Sequence, residues 1–112
     1  MAIVFDANRK IFTIHTKHTT YQMMVDKKGY LLHLYYGART KGTMDYLLCY
    51  ADHGFSGNPY VAGADRTYSL DALPQEYPSL GTGDYRSVAL SIASAGGTEC
   101  CDPTFDSSKV TK

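Results

Sequence analysis

The sequence predicts an all-β fold, a mostly antiparallel β-sandwich with a long structured loop region in its middle third. Three observations lead there. Apolar and polar residues alternate with period two through the first forty positions and again near position 90. Short clusters such as Asp26-Lys27-Lys28-Gly29 interrupt that alternation at hairpin spacing. Pro59, Pro74 and Pro78 exclude a long helix or a central strand from most of residues 51–84.

Taken in order, residues 3–5 and 11–16 read as short strands joined by the polar stretch 6–10. Tyr21, Met23 and Val25 share one face of a third strand, with Gln22 and Met24 on the other. The Asp26-to-Gly29 turn follows, and Tyr30, Leu32, Leu34 and Tyr36 resume the alternation, which makes a β-hairpin. Residues 38–42 are a polar loop, and residues 44–50 fit either a short helix or a strand. Residues 86–93 alternate again, which predicts a fifth strand with Val88, Leu90 and Ile92 inward, and Gly96-Gly97 supplies a turn after it. From Asp102 onward the chain is polar and lacks a hydrophobic period, as expected of a domain cut before its end.

Composition narrows the function. A chain of 112 residues reads as one domain, and its 44% hydrophobic content suits a globular core. Eleven basic residues balance eleven acidic ones, so no net charge draws nucleic acid or an anionic membrane. No apolar run approaches the roughly 20 residues of a membrane span, and the N-terminus lacks a signal-peptide pattern, so a cytoplasmic location is expected. Cys49, Cys100 and Cys101 are odd in number, and the adjacent pair cannot form an ordinary unstrained disulfide, which predicts free thiols. His15 and His18 lie three apart, so on an extended segment their side chains point to opposite faces, and no metal site is expected. No cofactor-binding motif is present: Gly81-Thr-Gly-Asp-Tyr-Arg86 begins like a dinucleotide loop, but Arg86 replaces the third glycine and a strand is expected where a helix is required. Ten tyrosines and no tryptophan suit strands, and also half-wet contact surfaces.

The middle third crowds charge, tyrosine and turn residues together, as loops that carry function do. Its segments are Tyr50-Ala-Asp-His-Gly-Phe-Ser-Gly-Asn-Pro59, Asp65-Arg-Thr-Tyr-Ser-Leu-Asp71, Leu73-Pro-Gln-Glu-Tyr-Pro78 and Gly81-Thr-Gly-Asp-Tyr-Arg86. Together with Ile3-Val-Phe-Asp6, Ile11-Phe-Thr-Ile-His-Thr16 and Gly29-Tyr-Leu-Leu-His-Leu-Tyr-Tyr-Gly37, they resemble the N-terminal domain of the bacterial alpha-galactosidases of glycoside hydrolase family thirty-six. The resemblance covers roughly residues 1 to 100.

That resemblance implies a single N-terminal β-sandwich domain over residues 1–112, part of a larger supersandwich and truncated, with the catalytic TIM barrel absent. Glycoside hydrolysis normally uses two carboxyl groups flanking the scissile bond. The family carries its pair on the barrel, so no residue of this chain is assigned a catalytic role. The parent activity would be release of terminal alpha-galactosyl residues from melibiose- and raffinose-type sugars in a homotetramer, where one subunit's N-terminal sandwich leans over a neighbour's active site. Asp52 and Arg66 match the positions that reach the sugar, and Phe55, with Tyr60 and Tyr68 nearby, supplies rings for its apolar face. The bland reading makes Asp52 and Arg66 a salt bridge or a turn cap. Leu73-Pro-Gln-Glu-Tyr-Pro78 reads as architectural, because two prolines fix its path. A free-standing carbohydrate-binding module and an oligomerisation module are the alternatives from other classes.

Overall fold

The computed structural model describes residues 1–52, 54, 63, 65–81 and 83–111, and they form two compact units. The first unit comprises Met1–Leu48 with Thr104–Lys112, and the second Cys49–Pro103. Among the described residues there is no α-helix, and no helix is long and apolar enough to cross a membrane.

The first unit is a four-stranded antiparallel meander in the order β1 (Ala2–Asp6), β2 (Ile11–His15), β3 (Thr19–Val25) and β4 (Leu31–Ala38). The alternating runs lie where the sequence places them, and local chemistry sets each turn. At the first turn the Asp6 carboxylate accepts hydrogen bonds from the Asn8 and Arg9 N–H groups, and Lys10 takes a left-handed conformation (φ 54°). Between β2 and β3 the Thr16 hydroxyl accepts from the His18 and Thr19 N–H groups. In the β3–β4 turn the Asp26 Oδ1 atom accepts from Lys28 and Tyr30, and Gly29 takes φ 89°. The Phe105 N–H donates to the Gly29 carbonyl at 2.7 Å.

Register departs from simple alternation at one point. Gln22 pairs with Tyr35 and Met23 with His33, so Leu34 is an extra residue on β4, a β-bulge. A bulge reverses the facing of everything beyond it. Leu32, opposite Met24, is therefore fully buried, while Tyr36, opposite Tyr21, is exposed, although the pattern predicts a common face for both. On the face that carries Ile11 and Leu32, Thr20 and Gln22 are also buried. Gln22 shares its face with Met24 as expected, and its amide holds the strap after β4: Nε2 donates to the Gly42 carbonyl at 2.8 Å and Oε1 accepts the Met44 N–H at 3.0 Å. Thr20 Oγ1 accepts the Thr40 N–H at 3.0 Å. The opposite face stacks Phe5 on Phe12 (4.3 Å between centroids), with Phe105 against Phe12.

Beyond the strap, the segment that fitted helix or strand is a single 3-10 turn, Asp45–Leu47. Arg9 pairs with Asp45 and also donates to the Thr43 hydroxyl. Burial pushes the Asp45 pKa up, but the hydrogen bonds from Arg9 and Thr43 outweigh it and hold the carboxyl below its usual value.

In the second unit, turns replace ladders. Its core is Tyr68, Leu70 and Leu73, each with essentially no exposed surface, and full burial of such side chains stabilises by about 1.5–3 kcal/mol apiece. The predicted fifth strand over residues 86–93 is not a strand. Leu90 makes an isolated parallel bridge to Ser79, while Val88 and Ile92 are 43% and 50% exposed. Pro78 opposes it with a carbonyl that accepts from Ala89 and Leu90 but has no N–H to return, so the ladder stops after one step. The turn at Gly96-Gly97 is as expected: Gly97 N–H donates to the Ser94 carbonyl with Gly97 at φ 83°.

Candidate functional site

The loop region of the second unit brings Asp52 and Arg66 together. Arg66 Nε lies 3.4 Å from Asp52 Oδ2, with the two side chains 68% and 46% exposed. Asp52 caps a turn of its own, and Arg66 lies within one capped by Asp65. Asp52 Oδ1 accepts the Gly54 N–H at 2.8 Å, and Asp65 Oδ1 accepts the Thr67 N–H at 2.9 Å, so the Arg66 backbone is fixed from both sides. An exposed ion pair of this kind contributes little to folding, about 0–1 kcal/mol. It does present a carboxylate acceptor beside the guanidinium donors at one solvent-facing point. That is the chemistry for gripping a pair of neighbouring hydroxyls.

The rings expected beside this pair divide. Phe55 and Tyr60 lie outside the described residues. Tyr68 is wholly buried and stacks on Tyr50 at 6.1 Å between centroids, so it is a core ring and not a sugar platform.

The second unit also holds a polar device whose role the sequence reading did not assign. Asp84, its side chain 1% exposed, receives Arg86 Nε on Oδ1 at 2.9 Å and Arg86 Nη2 on Oδ2 at 2.8 Å. The same Nη2 is shared with the carbonyls of Leu70 (2.8 Å) and Leu73 (2.5 Å). Gln75 Nε2 and the Arg86 N–H supply further donors to the carboxylate. One guanidinium therefore ties the 84–86 turn to the turn that carries the core leucines. Burial raises the Asp84 pKa, but the Arg86 hydrogen bonds and charge with the Gln75 bond outweigh it and hold the carboxyl below its ordinary value. Arg86 is held above its own, first by hydrogen bonding to Asp84. The signal for this pair was present as an Asp-x-Arg spacing after two glycines, Gly81 and Gly83, which take φ 99° and 91°.

Comparison with known proteins decides the family. Residues 29–112 match the Glycosyl hydrolase family 36 N-terminal domain. The chain belongs to that family. This family 36 N-terminal domain is 67% identical over 110 residues to the bifunctional alpha-galactosidase/sucrose kinase AgaSK of Mediterraneibacter gnavus, covering 98% of this chain and 12% of that protein. It is 35% identical over 109 residues to the alpha-galactosidase Mel36A of Lactobacillus acidophilus, covering 96% of this chain and 15% of the relative. The solved galactosidase domain of AgaSK superposes with a TM-score of 0.89 at 69% identity, covering 95% of this chain and 15% of the other. An AgaA variant from Geobacillus stearothermophilus, solved in complex with raffinose, superposes with a TM-score of 0.77 at 32% identity over 88% of this chain and 14% of the other. The family 36 domain described here thus spans about an eighth of the relatives' length and corresponds to their N-terminal portion. All three cysteines of the domain are free thiols.

Proposed function

We propose that this chain is the non-catalytic N-terminal part of an alpha-galactosidase acting on melibiose- and raffinose-type oligosaccharides, and that its Asp52–Arg66 loop completes the sugar site of the assembled enzyme. The observation that carries the reading is 67% identity to AgaSK over nearly the whole chain, at only 12% of that protein's length. The raffinose bound to the related AgaA variant supports the substrate class. The exposed, turn-anchored Asp52–Arg66 pair supports the contact, with Phe55 as its apolar complement.

The same reading places further β-structure of the longer polypeptide over the open face and edge of the four-stranded sheet, completing a sandwich. Its support is the edge strand β1, which leaves Ile3, Val4 and Phe5 exposed. Homotetramer contacts and a cytoplasmic location belong to the proposal, the latter supported by the free thiols.

A segment exchange tests it. Substituting this chain for the corresponding segment of AgaSK should give a hybrid that hydrolyses raffinose, while the chain alone leaves raffinose intact. A hybrid that folds and assembles yet lacks activity would remove the proposal.

A further inference from the structure

Acidic side chains of the first unit are confined to one part of its sheet. Its four carboxylates are Asp6, Asp26, Asp45 and Asp106. Asp6 and Asp26 sit in the β1–β2 and β3–β4 turns, Asp45 pairs with Arg9 of the first turn, and Asp106 follows Phe105, which is bonded to the Gly29 carbonyl. All four therefore cluster at one end of the sheet. The opposite end, about 16 Å away along a five-residue strand, carries His15, Lys17, His18 and Arg39, while Lys41 lies between the ends in a hollow it shares with Asp6. That distance exceeds the Debye length of about 8 Å at physiological salt, so the carboxylates do not neutralise this end. Among the described residues, none of Lys17, His18, Arg39 and Lys41 has a carboxylate partner.

Three of these groups, His15, Lys17 and Arg39, line a cavity of about 250 Å³ with Met1, Ala2 and Thr16, and none of these lining residues is acidic. Arg39 is held from both backbone and side chain: its N–H donates to the His18 carbonyl and its Nη1 to the Thr16 carbonyl, each at 2.8 Å. Among the described residues the remaining guanidinium N–H groups have no acceptor. His15 Nδ1 is bonded to Thr20 Oγ1 at 2.9 Å, which fixes the ring, and among the described residues Nε2 has no partner. Gathering like charges around one hollow is unfavourable until an anion neutralises them.

We propose that this end of the sheet binds a phosphate-class oxyanion, free or on a small phosphorylated sugar, through the Arg39 guanidinium and the Lys17 ammonium with the His15 ring beside them. A fixed guanidinium offers the planar fork that matches two phosphate oxygens, and the lysine adds a mobile charge.

Calorimetric titration of the full 112-residue chain at low ionic strength tests the site, with inorganic phosphate and glucose 6-phosphate as titrants and chloride as the control. Phosphate is expected to saturate at millimolar concentration, and Lys17→Gln and Arg39→Gln to weaken it about tenfold each, one charge-assisted contact apiece. Among the described residues the Lys17 side chain has no hydrogen-bond or ion-pair partner, so its variant is expected to keep the fold. Tighter binding of glucose 6-phosphate assigns the site to a phosphorylated sugar, and equal binding assigns it to free phosphate. Failure to saturate by about 20 mM, or an affinity that neither variant changes, overturns the proposal. So does equal weakening by Lys28→Gln at the far end of the sheet.

Discussion

The two units of this chain solve the same problem with different bonds. Residues 1–48 form a sheet in which backbone ladders satisfy the polar groups and side chains need only alternate. Among the described residues of 49–103 there are isolated bridges but no strand, and side chains do what strands do elsewhere: Asp84, Arg86, Ser79 and Asp65 satisfy or fix the backbone of their neighbours. A ladder spreads its stabilisation over many equivalent bonds. A side-chain network concentrates it on a few residues, which makes the second unit the more vulnerable to single substitutions.

The largest effect is therefore expected from Arg86→Ala. It strands the Asp84 carboxylate in the core and releases the carbonyls of Leu70 and Leu73, a loss of about 3 kcal/mol. Because Arg86 itself is 45% exposed, the lower end of the range for broken buried pairs applies. Hydrogen exchange should show protection lost across the second unit and retained in β2 and β3. Uniform loss in both units would show that they do not differ in this way.

Acid should separate the units by the same route. The Asp84 pKa is depressed on folding, so its contribution is complete above the unfolded value near pH 4 and is lost as pH falls through the lower folded value. Asp45 follows the same sign in the first unit through Arg9 and Thr43, but at a more exposed site. Acid unfolding followed by residue-resolved NMR should show the signals of Leu70 and Leu73 changing before those of Ile11 and Leu32. Arg86, shifted upward, stays charged throughout this range.

In the first unit the nearest counterpart to Arg86 is Gln22. Gln22→Leu removes the amide that holds the strap at Gly42 and Met44, with an expected cost of about 2 kcal/mol and loss of amide protection confined to the strap. A smaller effect, about 1 kcal/mol, is expected for Gly37→Ala. The new methyl would lie 2.6 Å from the Tyr35 hydroxyl and displace it from the Ala38 carbonyl. Urea denaturation measures both. Arg66→Gln should change stability by no more than about 0.5 kcal/mol, since the ion pair it breaks is exposed. A large loss there would make the pair a structural element and remove it from the sugar site.

Legibility in the sequence followed the same division. Period two located all four strands of the first unit, because strand geometry imposes that period on any half-buried ladder. What it missed was the Leu34 bulge, an insertion with no compositional mark, and with it the opposite facings of Leu32 and Tyr36. Val88, Leu90 and Ile92 alternate as well as any true strand, yet alternation carries no information about whether a partner with free N–H groups lies alongside, and Pro78 does not supply one. At the candidate site, the family resemblance singled out Asp52 and Arg66, while their ion pair and the Asp52 turn cap are what the bland reading expected, although nothing in their fourteen-residue separation requires contact. The burial of Tyr68 and the Asp84–Arg86 tie depend on packing between turns, which local pattern does not encode.

The most direct test of the account is Asp52→Ala in the hybrid full-length enzyme, with kcat/KM on raffinose measured beside the assembled size. The account predicts a fall of at least about tenfold, the worth of one charge-assisted contact to a sugar hydroxyl, with assembly unchanged. An unaltered kcat/KM in a correctly assembled enzyme would contradict it and leave Asp52 as the acceptor of a turn.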